Sequence, residues 1–177
     1  MIFIPFMKSV RKISLRGRFA IALRGCELLA EKKEIMDRGL SGFFPEAWEY
    51  TSTRDFAEWE ASVADYFDKD FGDGDLTRIL HRSLDIGGVH LYGAIDDHGE
   101  MQTVYALWDI LDVLHNYDIL LEDTEKVRAF SPFTDIGAFI RNGEMGFGRP
   151  FGRAEIVPLI EYVRSSPIRD RIDMRPS

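Results

Sequence analysis

Glu100-Met101-Gln102-Thr103-Val104-Tyr105-Ala106-Leu107-Trp108-Asp109-Ile110-Leu111-Asp112-Val113-Leu114-His115-Asn116-Tyr117 is the stretch whose reading decides the fold. Within it Val104, Trp108, Leu111 and Leu114 recur at helical spacing. Leu107, Ile110 and Val113 widen that stripe until the polar residues keep only a narrow face. A helix apolar over so much of its circumference belongs inside a core, and the other elements must be arranged around it. The sequence therefore predicts a mainly α chain: a compact bundle of about five to seven helices around an apolar central helix at about 100–117. Residues 1–177 form a single globular helical domain, and the polar residues after about 167 form a frayed tail.

Working outward, Leu15, Phe19, Ala22, Cys26 and Leu29 predict an amphipathic helix from Ser14 to about Met36. Ser14 is its cap, Gly39 its terminator, and Arg16, Arg24, Glu27, Glu31 and Lys32 lie largely on the other face. Gly17 and Gly25 weaken it by about 1 kcal/mol each relative to alanine. Leu40 to Thr53 reads as an aromatic connection with one turn beginning at Pro45. A helix from about Arg54 to Asp68 follows, capped by Ser52 or Thr53, with Phe56, Trp59, Val63, Tyr66 and Phe67 on one face. Asp70 to Asp75 is a turn, and Leu76, Ile79, Leu80 and Leu84 predict the next helix.

Gly87-Gly88 leaves two readings open. Helical spacing continues through Leu84, Gly88, Leu91 and Ile95, while a short strand or hairpin near 88–96 is the competing reading. Ser131-Pro132 caps a helix with Phe133, Ile136, Phe139 and Ile140. The last helix is expected at about 153–165, with Ile156, Leu159, Ile160 and Val163 inward and Pro158 near its first turn or kinking it.

Cys26 is the single cysteine, which excludes an intrachain disulfide and a thiolate zinc cluster and predicts a reducing, cytoplasmic location. The apolar opening Met1 to Met7 lacks a basic lead-in and reads as mature protein. The most apolar region, Val104 to Leu121, is interrupted by Asp109, Asp112 and Asp118, so no membrane span is expected.

Net charge is −8 and unevenly placed. Residues 1–26 hold six bases and no acid, whereas Ser83 to Glu125 hold ten acids and no Lys or Arg. Basic ends packed beside an acidic middle neutralise part of it. Acids left at the surface attract a cationic partner and repel nucleic acid, so no nucleic-acid partner is expected.

Tyr105, Asp109, Asp112 and Asn116 are spaced by four, three and four residues and share one face of the central helix, with His115 at its border. Two carboxylates one turn apart suit a basic side chain of a partner, and Tyr105 or Tyr117 suits an anchor. Asp96 and Asp97, in the preceding turn, complete the expected partner-binding set. The same acids also read as the solvated edge of a buried helix. Gly143 to Arg153 is glycine-rich, and Arg149 and Arg153 make it a weak candidate for anion binding. It lacks the P-loop lysine and hydroxyl. His81, His90, His98 and His115 show no zinc spacing. The acidic turn at Asp68 to Asp75 places Asp73 where a calcium loop needs glycine. No metal and no cofactor are expected, and no catalytic residue is assigned.

The function expected from these residues is that of a non-enzymatic acidic protein engaging a basic protein partner. In size and charge the chain is similar in general character to bacterial immunity proteins that neutralise nuclease toxins, although no motif identifies one. A small hydrolase or transferase with a site between the central helix and the loop at 143–153 is the alternative. A homodimer burying Phe43, Phe44, Phe147 and Phe151 is a third reading.

Overall fold

The computed structural model describes residues 3–36, 39–89, 97–119, 121 and 147–160. Among them are seven α-helices and no strand: α1 (Phe3–Val10), α2 (Leu15–Lys32), α3 (Leu40–Trp48), α4 (Phe56–Val63), α5 (Gly74–Gly88), α6 (Asp97–His115) and α7 (Arg153–Ile156). Short 3-10 turns at Glu49–Thr51, Ala64–Tyr66 and Val157–Leu159 extend α3, α4 and α7. The chain is mainly helical, as its periodicity predicts, and no described helix is long and apolar enough to cross a membrane.

Helices α2, α5 and α6 form the centre, each packed on the other two. In α6, Val104, Leu107, Ile110 and Leu114 are fully buried, as the apolar stripe requires. Helix α2 lies deeper than its charge pattern predicts, with fourteen of its eighteen residues buried, Arg16, Arg18 and Glu27 included. Ser14 caps it by accepting the Gly17 N–H at 3.1 Å. Gly25 is there because α6 comes close, and a Cβ at that position would run into Leu114.

Several boundaries differ from the sequence reading for identifiable reasons. Leu40 to Trp48 is a helix despite Pro45, because its turns bury Phe43, Phe44, Ala47 and Trp48 together. That burial outweighs the backbone hydrogen bond that proline cannot make. Helix α4 is shorter than expected and takes Asp55 as its cap, accepting from Glu58 N at 2.9 Å. Helix α5 is capped by Asp73, which accepts from Leu76 N at 2.9 Å. It runs through Gly87 and Gly88, so the strand reading fails at its start, and residues 90–96 lie outside those described. At Gly87 a Cβ would sit 2.6 Å from Trp59 Cη2, so that glycine serves close packing rather than a stop. Helix α7 stops at Ile156 and tightens into the turn containing Pro158. Helix α1, where the sequence reading placed no element, lays Phe6 edge-on against Trp108 at 4.8 Å. The helix expected at Phe133 to Ile140 lies outside the described residues.

Phe43, Phe44 and Phe151 are 0%, 4% and 2% exposed within the chain's own core. The homodimer surface read from them is thereby corrected: their apolar area is already covered, and Phe147 stacks on Phe56 at 4.3 Å.

Candidate functional site

The acids of α6 divide into an inward and an outward set. Glu100, in the first turns, is completely buried and meets Arg18 Nη2 at 2.9 Å and Arg11 Nε at 3.1 Å. Arg18 also donates to Thr103 Oγ1 at 2.7 Å and to the carbonyls of Ile13 and Val10 at 3.0 and 3.2 Å. Burial lowers the Arg18 pKa and the Glu100 carboxylate opposes that drop. The basic N-terminal segment therefore does neutralise one member of the acidic stretch, inside the core.

Tyr105 begins the outward set and is 56% exposed, the single large apolar side chain so exposed among the described residues. One turn on, Asp109 is half-buried and held by Arg82 Nε at 3.1 Å and Arg78 Nη2 at 3.7 Å, both from α5. Arg82 also reaches Asp85 at 3.6 Å. Asp112 is half-buried on the same face and Asn116 is exposed in the turn that follows. Tyr105, Asp109 and Asp112 lie along one face of α6, with Asn116 beyond its end, and the charge there is mixed because α5 brings arginines to it.

Tyr117 is half-buried and engaged internally. Its hydroxyl donates to the Asp75 carboxylate, its carbonyl accepts from Lys32, and Lys33 Nζ sits 4.6 Å from its ring centroid. The same Lys33 binds Asp73 at 2.6 Å, so Tyr117 ties the ends of α2 and α6 to the start of α5. Asp97 opens α6, while Asp96 lies outside the described residues.

At the other candidate, Arg153 reaches Glu27 at 2.9 Å and lies over the Trp48 ring at 5.5 Å. Glu27, nearly inaccessible, also accepts from the Trp48 indole at 2.7 Å and from Arg24 at 3.0 Å. Arg153 is therefore committed to a carboxylate, and Arg149 is exposed beside it in sequence. The hydrolase reading requires Asp109, Asp112, His115, Arg149 and Arg153 to converge. The described contacts instead place Asp109 against α5 and Arg153 against α2, in separate clusters.

Sequence reasoning missed Arg16. Its Nη1 donates to the Tyr50 carbonyl at 2.7 Å, its Nε to the Gly148 carbonyl at 3.3 Å, and its guanidinium lies 5.0 Å from the Phe56 ring and 5.9 Å from that of Phe147. No local signal distinguishes it from a solvated arginine, because every partner is more than thirty residues away. Among the described residues no group of three or more His, Cys, Asp or Glu is arranged to hold a metal. Cys26 is buried against Ser83 Oγ at 3.2 Å, and burial pushes its thiol up to about 12. A thiol so placed is a packed side chain and a poor nucleophile.

Comparison with protein-family models, with curated proteins and with solved structures finds no match to this chain. Its functional reading therefore rests on its own residues.

Proposed function

We propose that the chain is a non-enzymatic acidic binding protein that engages a basic protein partner, in the manner of an immunity-type inhibitor of a bacterial toxin. One observation supports this reading: a set of acids stands on the surface without an ion pair among the described residues. Residues 40–75 hold ten acids against two bases. Glu46, Glu49, Asp55, Glu58, Asp65 and Asp68 are exposed there, and none forms an ion pair among the described residues. Such a surface draws a cationic partner over distances up to about the Debye length, roughly 8 Å at physiological salt, and repels nucleic acid.

Steering alone does not hold a partner, and the α6 face supplies what it lacks. Tyr105 is a large amphipathic side chain of the kind that dominates binding energy, with Asp109 and Asp112 one and two turns along. Arg78 and Arg82 hold Asp109 in place, so a partner's Lys or Arg meets a positioned carboxylate. Blocking a toxin by covering its basic surface needs no catalytic group here.

The test is affinity capture from native lysate with three baits: the wild-type chain, Tyr105→Ala, and the charge reversal Asp109→Lys with Asp112→Lys. The reading expects a strongly basic protein retained by the wild type and depleted on both variants, which keep the wild-type circular dichroism. Equal retention on all three baits would remove the α6 face from the account. Retention of acidic proteins alone would remove the proposal.

A further inference from the structure

Helices α5 and α6 run antiparallel beneath the face that carries Tyr105. The Tyr117 hydroxyl, just past the end of α6, reaches Asp75 at the start of α5, and Asp109, two turns back, reaches Arg82. On α5, Asp75, Arg78, Arg82 and Asp85 follow one another at spacings of three and four, and all are exposed. The face is therefore two rows: acids with Tyr105 on α6, and a row holding two guanidinium groups on α5.

The two arginines are not equally served. Arg82 takes Asp109 through Nε at 3.1 Å and reaches Asp85 through Nη1 at 3.6 Å. Arg78 meets the same Asp109 only at 3.7 Å, beyond hydrogen-bond length, and has no other ion pair among the described residues. Its side chain is 54% exposed. A guanidinium carries five N–H donors in a planar fork that fits a carboxylate through two parallel bonds. Arg78 keeps that fork at the surface, beside a carboxylate already committed to its neighbour.

This arrangement limits what can cover the face. A partner surface of cations alone, seated on Asp109, brings like charges against Arg78 and Arg82, which is strongly unfavourable across an interface. It also strips water from Arg78 and returns nothing for it. A surface that carries a carboxylate beside its cation avoids both losses. Resting on the reading that this chain engages a basic protein, we infer that the α5/α6 face selects a bipolar element of that partner: an Asp or Glu seated on Arg78, next to a Lys or Arg seated on Asp109. Four charges then alternate in sign around the contact. Arg78 is a specificity residue, admitting this partner and repelling basic surfaces that lack the acid.

The test compares wild type and Arg78→Gln, at one ionic strength, for affinity toward two probes: the purified basic protein that the wild-type chain retains, and poly-L-lysine, which offers cations alone. The substitution leaves the Arg82–Asp109 pair in place, and the loss of one exposed ion pair at 3.7 Å should leave the melting temperature unchanged. Affinity for the retained protein should fall about tenfold, the worth of one charge-assisted hydrogen bond. Affinity for poly-L-lysine should instead rise about two- to fivefold, as a like charge is removed. Arg78→Lys, which keeps the charge but loses the fork, should recover only part of the first loss. An Arg78→Gln chain that holds the retained protein as tightly as the wild type, or more tightly, would overturn this inference and leave the basic-partner reading standing. Weakening of both probes in the same proportion would overturn it too, because Arg78 would then act through Asp109 and not on a partner acid. A wild-type chain that retains no basic protein would remove that reading and this inference with it.

Discussion

Arg18 Nη2 lies 2.9 Å from Glu100 Oε1, with neither side chain exposed to water, so the N-terminal basic segment and the acidic helix α6 are joined by a pair that the core encloses. Removing one member leaves the other buried and uncompensated. Glu100→Gln is therefore expected to cost about 3–5 kcal/mol, the usual penalty for orphaning a buried charge. Urea unfolding of the purified variant measures it, and a loss under about 1 kcal/mol would mean that Arg18 finds other compensation.

The Lys33–Asp73 pair sets an acid limb. Partial burial raises the Asp73 pKa, but the Lys33 ammonium and the Leu76 N–H outweigh it and hold the carboxyl below its ordinary value. A folded pKa below the unfolded one gives stability that is present above the unfolded value and lost as pH falls through the folded one. Lys33 is raised, so its share is present below the ordinary lysine value and lost at high alkaline pH. Melting temperatures taken between about pH 5 and pH 2 should converge for the wild type and Asp73→Asn as the acid limb is crossed. Parallel curves over that range would contradict this.

Gly25 and Gly87 oppose helix propensity for a steric reason. Alanine gains about 1 kcal/mol in a helix interior, yet a Cβ meets Leu114 at the first position and Trp59 at the second. Overpacking costs typically 1–3 kcal/mol, so Gly25→Ala and Gly87→Ala should both lower the denaturation midpoint. Gly74→Ala, where nothing lies within 4 Å, should leave the midpoint unchanged or raise it.

Cys26 should resist thiol reagents in the native chain. Its thiol is fully buried and its pKa lies near 12, so modification by a disulfide reagent should proceed at the rate of unfolding and become immediate in denaturant. Rapid reaction under native conditions would place the thiol nearer the surface.

The helices were legible where apolar spacing decides, as in α2, α5 and α6. Helix α3 was hidden by Pro45, whose local cost is overridden by burial of Phe43, Phe44 and Trp48 against residues remote in sequence, Phe71 and Glu27 among them. The charge pattern misled most on α2. Arg16 and Glu27 sit at spacings that fit a solvated face, and what draws them inward is Tyr50 and Arg153, remote in sequence. The outward α6 face was readable from its three and four spacing, since Tyr105 and Asp109 need only the helix to be neighbours. That Arg78 and Arg82 share the face was not readable, because it depends on how α5 crosses α6. The acids of 40–75 lie outside the acidic stretch Ser83 to Glu125 that the sequence singles out. That Glu46, Glu49, Asp55, Glu58, Asp65 and Asp68 form no ion pair among the described residues is a property of the fold.

Recognition through the acidic surface is tested most directly by the salt dependence of association between the wild-type chain and the basic protein it captures. Steered association should slow by about tenfold or more as sodium chloride rises from about 20 to 200 mM, and charge reversal at Glu46, Glu49 and Glu58 should abolish most of that dependence. An association rate indifferent to salt, or one that the triple reversal leaves unchanged, would contradict the claim that this chain's acidic surface recognises its partner.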